Sequence, residues 1–401
     1  MNNNLSIKQG HSIYIYDDEL DFIERVLKAK GIDLNSLDRT QNILTLSQRY
    51  VGYIKTNRRI IELVPKHDDL TLKHVMRIYY FVYGNFRNFE DEIFDLSSSV
   101  SYENIISIFL NELKDIKRKG LPTDYVSRQE LSKYIRGSVN FVESYKNIRR
   151  MHEHPFVCEV DELSLNTELN RILKAALKKV SNIKKYSSDA RLLKNMFKAV
   201  DDIAYKGESK SITFDSKNFY CKNAYFLAKL ILDESYLDST GVTGGECFLI
   251  DFDALFEEFI KKILFHVSND IRFTQWNKDK EYGMYASITK RYMPDILYGY
   301  SESDNSAIAI LDVKNKFSST FRNADVFQML FYSGMLSSRK LILCYPATED
   351  KPIDELEIYS DNFLANKIYA TYINIGGDTK QDFSDAIYKF IDDVYTCIDK
   401  M

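Results

Sequence analysis

The sequence predicts an α/β protein whose C-terminal part is a mixed sheet flanked by helices. A small α+β segment and a mainly helical middle region precede it. Three observations carry this reading. After the glycine-rich stretch "DSTGVTGGE" (238–246), the elements run helix, strands, helix, strand, strand, helix, the order of a sandwich around a mixed sheet. From about 90 to 235 the apolar period is helical. Ahead of that, short β-prone runs separated by polar turns follow one bounded helix. The divisions fall at 1–90, 91–237 and 238–401.

Taken in order, "DDELDFIERVLKAKGI" (17–32) spaces Leu20, Ile23, Val26 and Leu27 for one helical face, with acids at its start and Gly31 near its end. "NILTL", "YVGYIKT" and "RIIELVP" (43–65) are strand-like, and "LTLKHVMRIYYFVYG" (70–84) is helical. In the middle, "ENIISIFLNELKDIKRKG" (103–120) and "NTELNRILKAALKKVSNIKK" (166–185) are amphipathic, the second with Asn166 or Thr167 as N-cap. "YIRGSVNFVES" and "PFVCEVDEL" interrupt the helices with β-like pattern. The C-terminal series is the helix 251–267, "IRFTQW", two strands within 291–316, the helix 323–336, the strands 340–346 and 367–375, and the helix 382–398.

Bulk properties exclude several classes. The 401 residues carry 45% hydrophobic and 28% charged side chains, an ordinary globular balance. A formal net charge of −4 argues against coating nucleic acid by bulk electrostatics, though not against a local basic groove. The five cysteines show no CxxC spacing, the N-terminus lacks an export signal's apolar core, and no apolar run is long enough to span a bilayer. A cytoplasmic protein with reduced thiols and no membrane partner is expected. His152 and His154, without further ligands nearby in sequence, read as an exposed loop.

The chemistry concentrates in "RYMPDILYGYSESDNSAIAILDVKNK" (291–316). Asp295 and Asp312 each interrupt an apolar strand, where a carboxylate is costly unless a partner charge or metal compensates. Antiparallel pairing brings the start of one strand beside the end of the other, and Lys314 shares a strand face with Asp312. Two carboxylates about 4 Å apart repel by roughly 4 kcal/mol at an effective dielectric of 20, or about three pKa units. A divalent cation removes that conflict, and all-oxygen ligands favour Mg²⁺, with Mn²⁺ as substitute. Glu257, bordering the apolar face of its helix, is the third candidate ligand, whereas Glu258 lies with Lys261 and Lys262 on the wetter side. Gln328 and Tyr332, four apart on one helix face, are placed to orient Lys314 or a nucleic-acid backbone. The bland alternative is a turn cap and a surface ion pair worth under about 1 kcal/mol.

"PD" at 294–295, "DVK" at 312–314 and "QMLFY" resemble the PD-(D/E)xK nuclease core. The wider chain resembles the McrC family of modification-dependent restriction systems. "YVGYIKTNRRIIELVPKH" (50–67) is similar to its G-x-I…I-x-PK signature. "KGLPTDYVSRQE…YIRGSVNF" and "FVCEVDELSLNTELNRILKAAL" are similar to its middle segments. "FLIDFDALFEEFI" is similar to its Asp-Met…Leu-Phe-Glu helix, with Phe252 where methionine is usual. The likeness runs from about 50 to 346. It implies a Mg²⁺-dependent endonuclease subunit that cuts methylated or otherwise modified DNA only with an McrB-like AAA+ GTPase, a hexameric ring that uses the GTP. In agreement, no G-x-x-x-x-G-K-[ST] phosphate loop occurs in the chain. The N-terminal segment, with the basic turn "KTNRR" (55–59), is expected to meet the motor and stimulate its GTPase activity. Two other readings are a non-catalytic adaptor, which would be free to lose Asp295, Asp312 and Lys314, and a stand-alone nuclease, for which about 235 preceding residues are superfluous.

Overall fold

A computed structural model describes residues 3–83, 102–237 and 246–399, apart from short stretches at 34–35, 47–48, 184, 206–211, 213, 277–279, 286–287, 318–319 and 360–361. The glycine-rich linker (238–245) and the boundary expected near residue 90 lie outside the described residues. By packing, the chain forms two units, residues 1–100 with 240–401, and residues 101–239. It is a mixed α/β protein.

At the N-terminus, β1 (Asn3–Lys8) pairs parallel to β3 (Arg59–Val64), which forms a hairpin with β2 (Tyr50–Lys55). Helix α1 (Asp17–Ala29) carries Asp17, Asp18 and Glu19 in its first turn, where the helix dipole favours acids. It buries Phe22, Ile23, Val26 and Leu27. At the hairpin turn Arg58 stays at the surface, but Arg59 turns inward. Arg59 is buried and donates to both oxygens of the fully buried Glu19 carboxylate, at 3.2 and 2.8 Å. Glu19 also accepts from the Thr56 hydroxyl (2.6 Å) and the Tyr16 N–H (3.0 Å). Arg58 pairs with Asp18 at the surface.

The middle unit starts with α3 (Tyr102–Lys119), whose apolar face buries Ile106, Phe109 and Leu113. Strand β4 (Asp124–Ser132) pairs along its whole length with β5 (Phe156–Ser164), and α4 (Phe141–Arg149) lies between them in sequence. Sequence reasoning missed β4 because almost none of its side chains is buried, so it shows no apolar alternation. Helices α5 (Glu168–Ser181), α6 (Ser187–Lys194) and α7 (Lys222–Glu234) complete the unit. Thr167 is the α5 N-cap, its hydroxyl accepting from the Asn170 N–H at 3.2 Å.

The C-terminal part opens with an unanticipated strand, β6 (Glu246–Asp251), hydrogen-bonded antiparallel to β2. The two backbones approach so closely at Gly52 that a Cβ there would overlap the Phe248 carbonyl. This gives the glycine of the sequence signature a physical cause. β6 runs directly into α8 (Phe252–Lys262), whose N-cap Asp251 accepts from the Ala254 N–H at 3.2 Å. The main sheet has six strands in the order β7 (Phe273–Gln275), β8 (Ile296–Tyr298), β9 (Ala309–Val313), β10 (Lys340–Ala347), β12 (Lys367–Asn374) and β11 (Asp354–Glu357). The β9–β10 and β10–β12 pairs are parallel and the others antiparallel. Helix α9 (Asn323–Met335) packs over β9 and β10, and α10 (Lys380–Asp399) over β10 and β12.

Helix α2 (Leu72–Tyr83) joins the N-terminal segment to this core. Phe81 meets Phe259 of α8 edge-on at 5.1 Å and Phe383 of α10 at 5.8 Å, and Phe259 stacks on Phe383. The buried Arg77 donates to the carbonyls of Gly377 and Asp378, the latter at 2.8 Å. A fragment beginning near 236 would therefore strip β6 and α8 of their packing partners. Removing one partner of a buried ion pair costs about 3–5 kcal/mol, while an exposed pair is worth about 0–1. Glu19→Ala should thus lower stability in urea denaturation by roughly 3 kcal/mol, with Asp18→Ala nearly silent. Equal effects of the two would contradict the burial of the Glu19–Arg59 pair.

Candidate active site

The β8–β9 register builds the site. Ile296 pairs with Leu311, so one step outward Asp295 stands opposite Asp312. The Val313 N–H donates to Asp295 Oδ2 at 2.7 Å and holds that carboxylate at the strand end. Asp312 is 1% exposed on a central strand. It follows Ile310 on the face that packs against α9, so its burial is the consequence of its register position.

Lys314 forms an ion pair with Asp312, and its Nζ donates to Gln328 Oε1 at 3.0 Å. Gln328 Nε2 donates to the Tyr332 hydroxyl (2.8 Å), which donates to the Met293 carbonyl (3.0 Å). Met293 lies two residues before Asp295, so the chain of contacts closes on itself. Five of the sequence-predicted residues, Asp295, Asp312, Lys314, Gln328 and Tyr332, are thus brought together.

Glu257 sits on α8, and its negative charge is felt by both aspartates. Its carboxylate accepts from Lys261 Nζ at 2.5 Å, against 3.3 Å for Glu258. Lys261, expected on the wet side with Glu258, is instead buried and takes both glutamates. The apolar face of α8 is wider than its sequence spacing indicated, and the long lysine stem covers part of it.

Burial, then the Asp312 carboxylate, pushes Asp295 up to about 7. Burial raises Asp312 as well, with Lys314 opposing. Burial pulls Lys314 down, but the surrounding carboxylates, Asp312 first and then Asp295 and Asp325, together outweigh it and the net shift is upward. Asp312 has the Lys314 charge beside it, yet neither of its buried oxygens has an aligned hydrogen bond. Two facing carboxylates, of which Asp312 has both oxygens unaligned, fit a hard divalent cation by donor type. As they stand, no three His, Cys, Asp or Glu among the described residues are gathered closely enough to hold one.

Two contacts at this strand end escaped sequence reasoning. Lys316 Nζ bonds both oxygens of the buried Asp325 at 2.7 Å, and Asn315 Nδ2 donates to Asp253 Oδ1 at 2.8 Å. The only signal was that Lys316 repeats the two-residue spacing of Lys314.

An acid–lysine cluster at one end of a mixed, helix-flanked sheet defines an α/β protein with a candidate polyanion- or metal-directed site. The chain belongs to the family described as "McrBC 5-methylcytosine restriction system component", whose model matches residues 46–346. No curated protein matches it significantly. Among solved structures, it is similar to a chain of the refined half-complex from the tetradecameric assembly of Thermococcus gammatolerans McrB AAA+ hexamers with bound McrC. That likeness has a TM-score of 0.54 at 18% identity, covering 98% of this chain and 100% of that one. A chain of the cryo-EM T. gammatolerans McrBC complex matches with a TM-score of 0.39 at 19% identity, covering 67% of this chain and 89% of that one. At 18% identity the first likeness is one of fold. No helix of the described residues is long and apolar enough to cross a membrane.

Raised carboxyl pKa values set a sign for stability against pH. Between about pH 4 and 7 the folded chain retains protons that the unfolded chain has released, so stability falls as pH rises through this window. Without metal, Asp295→Asn should therefore stabilise the protein at pH 8 by about 1–2 kcal/mol and much less at pH 5. Thermal unfolding at the two pH values measures this, and an unchanged difference would show that Asp295 is not strained when ionised.

Proposed function

We propose that this chain is the nuclease subunit of a modification-dependent restriction complex. It hydrolyses DNA phosphodiesters with Mg²⁺ when assembled with an McrB-like AAA+ GTPase ring, whose GTP hydrolysis it stimulates. The observation that carries this reading is the junction of Asp295, Asp312 and Lys314 on adjacent strands, in a chain of the McrBC family. In this reading the sheet is a PD-(D/E)xK core, the DNA is methylated or otherwise modified, and the protein works in the cytoplasm.

Asp295 and Asp312 would hold the ion, with Glu257 as third candidate. When bound, the ion supplies Lewis-acid stabilisation of charge developing on the scissile phosphate. Lys314 stands beside that position, held by Asp312 and Gln328. Its ammonium orients a water for in-line attack or offsets phosphate charge, worth orders of magnitude in rate. Gln328 and Tyr332 fix the lysine through the bonded series ending at Met293. Glu257 Oε1 accepts from Lys261 Nζ, so the lysine competes with the ion for that carboxylate and the contribution of Glu257 is the smaller.

The partner assignment rests on the family and on the full-length likeness of fold to a chain in a McrB–McrC assembly. With Arg59 engaged inside the N-terminal unit, Arg58 at the tip of the turn is the arginine left at the surface for a partner to meet.

Asp295→Ala, Asp312→Ala and Lys314→Ala should each lower cleavage of a methylated plasmid by at least about a hundredfold, assayed with an McrB-type partner, Mg²⁺ and GTP. Asp312→Ala should still stimulate GTP hydrolysis. Glu257→Gln should weaken cutting, with recovery at high Mg²⁺ or in Mn²⁺, whereas Glu258→Gln stays near wild type. Wild-type cutting by the first three variants, with stimulation intact, would make the chain a non-catalytic adaptor.

A further inference from the structure

We infer that the tripeptide 314–316 is a double pin that sets two helices against the catalytic strand, with Asn315 and Lys316 as separate positioning residues. The inference rests on the nuclease reading above and assigns roles to side chains outside its ligand and lysine set.

After β9 ends at Val313, the Lys314 N–H still bonds the Cys344 carbonyl, so the chain holds its place beside β10. The side chains then diverge. Lys314 and Lys316 go to α9, and Asn315 goes to α8. Lys316 grips both oxygens of Asp325, which is 4% exposed in the first turn of α9. Gln328, the partner of Lys314, lies three residues further along the same helix. Asn315 bonds Asp253 in the first turn of α8, and Glu257 lies four residues further. Residues three or four apart share a helix face, so each contact fixes a helix one turn before the group it presents.

The two pins are chemically unlike. The α9 pin is a half-buried, two-pronged charge pair. The α8 pin is one amide-to-carboxylate bond, and it leaves the buried Asn315 Oδ1 without a hydrogen bond among the described residues. An unsatisfied buried carbonyl is costly, so geometry rather than stability accounts for the asparagine.

The pins serve different parts of the chemistry and so give different kinetic signatures. Loosening α9 displaces Gln328 and through it Lys314, which acts on the phosphate. Loosening α8 displaces Glu257, which acts on the ion. Lys316→Met should lower turnover at saturating Mg²⁺ by roughly tenfold to a hundredfold, leaving the half-saturating Mg²⁺ concentration unchanged. Lys316→Arg, which keeps the charge pair, should stay close to wild type. Asn315→Ala and Asp253→Asn should raise the half-saturating Mg²⁺ concentration by about tenfold, with turnover recovered at high Mg²⁺. Calorimetric titration of the full-length chain with Mn²⁺ alone should show weakened binding in Asn315→Ala and none of that loss in Lys316→Met. If both parameters move together in both classes, or neither moves, the double-pin assignment is overturned. Undiminished cutting by Asp312→Ala in the same assays would instead overturn the nuclease reading beneath it.

Discussion

The pairing of Ile296 with Leu311 is the constraint on which the site depends. It sets Asp295 opposite Asp312, and a slip of one residue would turn one carboxylate to the other face of the sheet. The Val313 N–H bond to Asp295 locks the register at its open end. From there the placement of the lysine follows, because two residues beyond Asp312 the chain returns to the same face. The α9 side chains then close around it.

The arrangement is costly, and the cost is localised. A carboxylate on a central strand excluded from water is the opposite of what folding favours. Surrounding elements hold it in place. The sheet is hydrophobic on the α9 side through Leu297, Ile310, Leu341 and Leu343, and the aspartate occupies the end of that face. Stability is supplied elsewhere, by the aromatic junction of Phe81, Phe259 and Phe383 and by the buried Arg77. Core and site are therefore separable, as the pH behaviour of Asp295 should reveal.

Much of this was legible in the sequence, for identifiable reasons. Helices α1, α3, α5 and α10 show their apolar stripe, α1 and α5 their boundary residues as well, and strands β9, β10 and β12 are mainly apolar runs buried on both faces. The aspartates were visible as interruptions of those runs. Strands β4 and β11 were not, since exposed strands carry no burial pattern to read. β6 was hidden because "CFLI" is separated from the apolar face of α8 by Asp251 alone. The roles of Asn315 and Asp325 depend on partners 62 and 9 residues away, a relation no local spacing encodes. The inward turn of Arg59 onto Glu19, 40 residues away, was missed for the same reason.

The strand β6 and the helix α8 meet at Asp251 without an intervening loop. That aspartate ends the strand, caps the helix and pairs with Arg49, the residue before β2. Mechanically, the N-terminal hairpin and the helix bearing Glu257 form one lever with a stiff fulcrum. A push on β2 has no slack segment in which to dissipate before it reaches α8. Load applied to the first sixty residues would thus be felt as a tilt of the acidic helix over the sheet, a coupling that needs no relay of side chains between the two.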